Sequence, residues 1–241
     1  MAVLLTAPAL AATGGYSLLI ADDRALVSAA QKLRHDVFAP GTAGADVFDE
    51  YGDHLIVRDD ATGAVVGTCR LLPPGAAERA GRRHGDGDFD LSRLGPLRDQ
   101  LVEAGPSCVH PEHRGGAVLN LLWAGTARYL YLNNLRWLGG GVAVPLDDGG
   151  TLAAGVRARV DARHLSPPAL RVRPRRPWVA GQPGDPATPL PPLLRGHLRL
   201  GARVCGEPAY DPDLGVANFY VLFCMDRMAP RHRRHFLGAT R

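Results

Sequence analysis

EAGPSCVHPEHRGGAVLNLLWAGTARYLY, Glu103 to Tyr131, is the stretch that decides the fold. Its first residues read as a strand, Arg114-Gly115-Gly116 as a turn, and the remainder as an amphipathic helix. Leu119, Leu122, Trp123, Thr126 and Leu130 recur at helical intervals, while Asn120, Arg128 and Asn133 can face water. A strand that feeds a helix through glycines puts backbone N–H groups at the positive end of the helix dipole, where an anion is attracted. Glycine tolerates left-handed dihedrals and lets a ligand come close to the backbone, so two glycines beside an Arg suit a phosphate. The same residues also fit a plain strand-to-helix turn.

Outward from this stretch the chain reads as alternating strands and helices. Upstream lie a strand near Tyr16 to Ile20, a helix from about Arg24 to Asp36 capped by Asp22 or Asp23, and strands at His54 to Arg58 and Val65 to Leu72. Asp60-Ala61-Thr62-Gly63 forms the turn between the last two. A polar loop from Pro73 to Asp90 leads through a short helical turn to the strand at Leu101 to Val109. Downstream come a strand at Gly141 to Pro145, a helix at Thr151 to His164, a helix near Leu193 to Leu200, and strands at Ala202 to Gly206 and Val216 to Met225. Between Ser166 and Pro192 the prolines exclude a regular helix or central strand, and so long an irregular segment in a compact domain often covers a site.

Composition fits one enzyme domain spanning 1–241: 241 residues bury a substantial core, with 46% hydrophobic and 22% charged residues. Cys69, Cys108, Cys205 and Cys224 stand singly, without metal-ligand spacing or a disulfide framework, as in a reducing cytoplasm. The start, MAVLLTAPALAATGG, lacks a basic n-region and is interrupted by Pro8, so residues 1–15 read as a cytoplasmic N-terminal extension or edge strand rather than a secretory signal. No segment approaches the roughly 20 apolar residues that cross a bilayer, so any membrane contact is peripheral, at the inner face. The net charge of +4 is unevenly spread. Arg171, Arg173, Arg175 and Arg176 cluster before Trp178, and Arg227, Arg231, Arg233 and Arg234 near the end. Such clusters either attract an acidic protein or anionic lipid or are solvated surface; no recognised motif and few interleaved aromatics speak for nucleic acid. His110 and His113 have His-x-x-His spacing, but Pro111 lies between them and no third ligand is near, which argues against zinc.

The central stretch resembles the GNAT acyltransferase superfamily, whose phosphopantetheine loop usually runs Arg/Gln-x-x-Gly-x-Gly/Ala. Counting from Arg114, this chain has Ala117 and Leu119 at the two small-residue positions. That strict loop holds the pyrophosphate of coenzyme A, whereas an acyl carrier protein offers the same pantetheine arm with one phosphate and no nucleotide. LRHDVF (33–38), DVFDEYGDHLIV (46–57) and VVGTCRLLPP (65–74) are similar to the pattern shared by acyl-homoserine-lactone synthases and ornithine lipid N-acyltransferases. GGVAVPLDDGG (140–150), RVRPRRPW (171–178), the block from Leu190 to Arg227 and PRHRRHFL (230–237) resemble the second group. Two departures stand near the expected site: Pro106 where relatives usually carry Arg, and Asn218 where they usually carry Asp. The Trp that lactone synthases place between the first helix and the acidic segment is absent.

The resemblance implies a GNAT-like α/β fold, a mixed and mostly antiparallel twisted sheet flanked by helices. It implies transfer of a fatty, or 3-hydroxylated, acyl group from acyl carrier protein to the α-amine of an amino acid, ornithine first. No resident cofactor is implied; the acyl-phosphopantetheine of the carrier, or acyl-CoA, is the donor substrate. Such a transfer needs a base for the ammonium, a group to hold the thioester carbonyl and a pocket for the chain. Glu103 is placed to act as base, directly or through water, and a backbone N–H in Ser107, Cys108 or Val109 as oxyanion donor. Cys108 as a nucleophile lacks an evident paired base and reads more simply as a small core residue. Arg114, Gly115, Gly116 and Ala117, with Val109, are the expected donor-binding loop. Arg34 and Arg70 suit an acceptor carboxylate and Asp49 and Asp53 its distal ammonium; Arg34 with Asp49 or Asp53 equally suits an ion-pair network tying the first helix to the sheet, and the two roles are compatible. Glu207, Tyr210, Asp211 and Asp213 either face the acceptor or form an ordinary turn. A lactone-synthase-like enzyme, a CoA-dependent GNAT and a non-catalytic acyl-carrier or lipid-binding protein are the competing readings.

Overall fold

The computed structural model describes residues 15–38 and 45–237, so the extension expected over 1–15 falls outside it except for Gly15. In chain order the first elements are β1 (Tyr16–Ile20), α1 (Arg24–Phe38), β2 (Asp53–Asp59), β3 (Val65–Leu72), α2 (Pro74–Arg79), β4 (Phe89–Asp90), β5 (Leu101–Val109) and α3 (Ala117–Leu132). There follow β6 (Trp137–Pro145), α4 (Thr151–Arg163), β7 (Arg173–Pro174), α5 (Pro192–Arg199), β8 (Arg203–Val204), β9 (Ala209–Asp211), β10 (Val216–Cys224) and α6 (Pro230–Leu237). The chain forms two compact units. One takes in the described residues up to Gly81, Ala104–Leu135 and those from Arg231; the other takes in Arg82–Glu103 and Arg136–Pro230. Three residues of β5 therefore belong to the second unit and the rest to the first.

In the first unit the strand order is β1-β2-β3-β5. β1 pairs antiparallel with β2 through Leu18↔Val57, and β2 with β3 through Leu55↔Cys69. Asp23 caps α1, its carboxylate accepting from Leu26 N–H at 2.7 Å and satisfying one of the first-turn donors. α3 lies close on β1, β2 and β3 because two glycines let it. A Cβ at Gly67 of β3 would sit 2.5 Å from Val118, and one at Gly125 of α3 would sit 2.8 Å from Leu18. So deep a seat changes the expected face of the helix. Val118, Leu121, Leu122, Gly125 and Tyr129 are buried, whereas Leu119 and Trp123 are only partly so.

In the second unit β5 pairs parallel with β6 through Leu101↔Trp137 and Glu103↔Gly139. β10 runs antiparallel along all of β6, from Val216↔Pro145 to Cys224↔Trp137, and also carries β8 and β9. These pairings are the mixed, mostly antiparallel arrangement that the resemblance implied. A core of Phe89, Leu94, Leu101, Val172, Tyr220 and Leu222 lies beneath them. Several expectations are corrected here. The loop from Pro73 to Asp90 holds α2, started by Pro74 at its first turn, then a 3₁₀ turn at His84–Gly87 and strand β4, which pairs with β7. β6 begins four residues early because β5 and β10 both pair with it from Trp137 onward. β9 forms within the acidic stretch around Tyr210 and Asp211, and α6 within the C-terminal basic cluster. The proline-rich segment has only β7 and a 3₁₀ turn at Pro168–Leu170.

Candidate functional site

Glu103 is the most unusual carboxylate in the second unit. Register opposite Gly139 turns it into the core, where it is 1% exposed rather than a surface charge at a strand end. Both of its oxygens accept backbone hydrogen bonds from the 3₁₀ turn, one from His84 N–H at 2.5 Å and the other from Gly85 N–H at 2.8 Å. Burial raises its pKa to about 7, against the opposing pull of those two N–H groups and of Arg83. A carboxyl that exchanges its proton near neutrality is what general base catalysis calls for. Gly85 makes this possible: a Cβ there would sit 2.7 Å from a Glu103 oxygen and 2.9 Å from the ring of Tyr220. The Tyr220 hydroxyl lies above Gly139, buried and without a hydrogen-bond partner among the described residues. Sequence reasoning found Glu103 but not His84, Gly85 or Tyr220; the two glycines of HGDG in a polar loop were the one available signal.

The donor loop lies in the first unit. His110 N–H donates to Val66 O at 2.8 Å, which fixes the end of β5, and Arg114 folds back with Nε donating to Val109 O at 3.3 Å. Gly116 caps α3 with φ +97°, a left-handed conformation natural to glycine, and open space surrounds both it and Gly115. Ala117, Val118 and Leu119 follow as the first-turn N–H groups of α3, which find no acceptor inside the helix. Ser107 is half-buried, and Pro106 removes one N–H from β5. Burial pushes the Cys108 thiol up to about 12, so it stays protonated and is a poor nucleophile. His113 shares a 2.8 Å hydrogen bond with the Tyr16 hydroxyl, and among the described residues no cluster of His, Cys, Asp or Glu could hold a metal.

The charged residues of the first unit form one buried cluster. Arg34 from α1 and Arg70 from β3 both pair with Asp49, Arg70 at 2.8 Å, and Arg70 also pairs with Asp46. Gln31 donates to Asp49 at 3.0 Å, and the His54 Nε2 lies 3.1 Å from Asp49 O. Arg34, Asp49, His54 and Arg70 are all buried, and the guanidinium of Arg70 lies over Phe48 and flat against Gly105. Burial alone would raise the pKa of Asp49, but Arg34 and Gln31 hold it at about 2. This is the ion-pair network that ties α1 to the sheet. Three of the expected acceptor residues, Arg34, Asp49 and Arg70, are thus brought together and are already paired with one another. Asp53 stands apart, accepting from the Tyr129 hydroxyl at 2.5 Å.

In the second unit Tyr210 and Asp211 lie on β9, with Asp213 just beyond, and Glu207 pairs with Arg157 at 3.0 Å. Asn218 donates to Asp88 at 2.6 Å. Of the two arginine clusters, Arg173, Arg175, Arg176, Arg227, Arg231, Arg233 and Arg234 are exposed. Among the described residues no helix is long and apolar enough to cross a membrane.

The family described as "Acetyltransferase (GNAT) domain" matches residues 29–124. L-ornithine N(alpha)-acyltransferase of Rhodobacter capsulatus is 32% identical over 94% of this chain and 96% of its own length. The Brucella abortus protein of the same name is 28% identical over 92% of this chain and 89% of its own. Among solved structures, the AHL synthase LasI superposes with a TM-score of 0.54 at 12% identity, covering 93% of this chain and 96% of LasI, a likeness of fold.

Proposed function

The chain belongs to the L-ornithine N(alpha)-acyltransferase family, and from that premise we propose that it transfers a fatty acyl group from the phosphopantetheine of an acyl carrier protein to the α-amine of L-ornithine. The observation that carries the mechanism is the buried Glu103, with its proton affinity raised to about 7. Glu103 takes a proton from the acceptor's ammonium, directly or through a water, and the freed amine attacks the thioester carbonyl. A backbone N–H among Ser107, Cys108 and Val109 donates a hydrogen bond to the developing oxyanion. That attack forms the C–N bond; collapse of the tetrahedral intermediate then breaks the C–S bond, and the pantetheine thiol leaves with the second proton from the amine nitrogen, giving an N-acyl amino acid.

Arg114 and the N–H groups of Gly115, Gly116 and Ala117 receive the donor's phosphate at the start of α3. Ala117 and Leu119, at the positions where the strict GNAT loop has small residues, favour the single phosphate of a carrier over the pyrophosphate of coenzyme A. The exposed arginines favour an acidic protein partner, and peripheral contact with an anionic membrane is compatible with the same charge. The test is mass spectrometry of products from acyl and 3-hydroxyacyl carrier proteins with ornithine, lysine, glycine and S-adenosylmethionine. N-acylornithine is expected. A product from S-adenosylmethionine, or turnover with acyl-CoA and none with the carrier, overturns the reading.

A further inference from the structure

The second unit contains a cleft of about 560 Å³, within the usual size of a small-ligand site, in which Tyr210, Asp211 and Asp213 meet residues far away in the sequence. Its charged and aromatic lining is Asp88, Arg175, Arg176, Tyr210, Asp211 and Asp213. The walls are held by backbone bonds. Arg175 N–H donates to Asp88 O and its Nε to Asp86 O, both at 2.8 Å, while Tyr210 N–H donates to Arg176 O at 2.7 Å. The two arginines are thereby held between the Asp86–Asp88 segment and β9. Asn218 fixes the Asp88 carboxylate at 2.6 Å, and the N–H groups of Asp213 and Leu214 fix one oxygen of Asp211.

Three carboxylates and two guanidiniums give this lining one net negative charge, the complement of a molecule with two ammonium groups and one carboxylate. Its position suits the acceptor. Asn218 and Tyr220 are two residues apart on β10, so they share a face about 7 Å apart along the strand. Asn218 touches the cleft through Asp88, whereas Tyr220 packs on Gly85 beside the Glu103 carboxylate. The turn that donates to Glu103 from His84 and Gly85 continues directly into Gly87 and Asp88 on the cleft wall. A three-methylene side chain spans a comparable distance.

We propose that this cleft is the acceptor subsite. Arg175 and Arg176 pair with the α-carboxylate of a basic amino acid, the carboxylates of Asp88, Asp211 and Asp213 hold its distal ammonium, and the α-amine is left toward Glu103. The assignment rests on the acyltransferase reading. It explains selectivity for a diamino acid through two opposed charge sites held apart by a built wall.

The test is calorimetric titration of the full chain with L-ornithine, 2-aminopentanoic acid, which lacks the distal amine, and ornithinamide, which lacks the carboxylate. The wild type is expected to bind ornithine at least tenfold more tightly than either analogue. Asp211→Asn keeps the oxygen that the turn needs and should weaken ornithine about tenfold while leaving 2-aminopentanoic acid unchanged. Arg176→Ala should weaken ornithine about tenfold while leaving ornithinamide unchanged. If Asp211→Asn does not fold, the exposed Asp213→Asn takes its place. Wild-type affinities in both variants, or no preference for ornithine in the wild type, overturn the subsite. Ornithine bound by the cleft without any N-acylornithine formed would sink the proposed function and leave the subsite standing. N-acylornithine formed at wild-type ornithine KM by both variants would do the reverse.

Discussion

Two buried carboxylates of this chain have opposite proton affinities for reasons visible around each side chain. Glu103 accepts from two backbone N–H groups, and burial outweighs them and lifts it to about 7. Its unprotonated form is the base, so kcat/KM should rise with pH and level off above about 7, measured from pH 5.5 to 9. Glu103→Gln should lower kcat by about 10²-fold or more and abolish that rise, while thermal protection by the donor persists. Asp49 is held near 2 by its guanidinium and amide partners. Its folded value lies below the ordinary carboxylate range, so its stabilisation is present above about 3.8 and lost as pH falls through about 2. Asp49→Ala leaves two buried guanidiniums short of their counter-charge and should cost about 3–5 kcal/mol in urea unfolding. Glu103 was legible in the sequence through the resemblance, which places a base in the strand that leads to a recognisable loop. Its hydrogen-bond donors were not, since His84 and Gly85 lie 19 and 18 residues upstream and nothing local announces that pairing.

Among the elements, α3 shows how glycine decides packing depth. Gly125→Ala should overpack the helix against Leu18 and lower stability by about 1–3 kcal/mol. Combined with Leu18→Ala, the loss should fall short of the sum by about 1 kcal/mol, since the second change vacates the space that the first requires. Additive losses in that cycle would mean that α3 tilts instead of colliding. Strand β5 and helix α4 could be read almost to the residue because alternation, helical spacing and flanking glycines agree there. β4, β7 and β9 could not: strands of two or three residues carry no period, and each is defined only by a partner far along the chain. The helical face of α3 was misread at Leu119 and Trp123 because spacing reports direction and not the depth that Gly67 and Gly125 permit.

For the molecule as a whole, a net charge of +4 and exposed arginines predict attraction to an acidic carrier that salt weakens. KM for acyl carrier protein should rise several-fold between 50 and 300 mM NaCl, while KM for an acyl-pantetheine thioester stays nearly constant; equal responses would place the donor's recognition in its arm alone. The resemblance made fold class and chemistry legible, and Tyr210, Asp211 and Asp213 could be read as facing an acceptor, whereas their meeting with Asp88, Arg175 and Arg176 comes only with folding. The interleaving of the two units also affects synthesis. β3 ends at Leu72, but its neighbour β5 is complete only at Val109, thirty-seven residues later. At about 5–20 residues per second, a growing polypeptide on the ribosome would carry β3 as an unpaired edge for roughly 2–7 seconds. During that interval the apolar strand VVGTCRLL is open to mispairing or to capture by a chaperone, so yield from fast, warm expression should fall below yield from slow, cool expression more steeply than melting temperature alone would suggest.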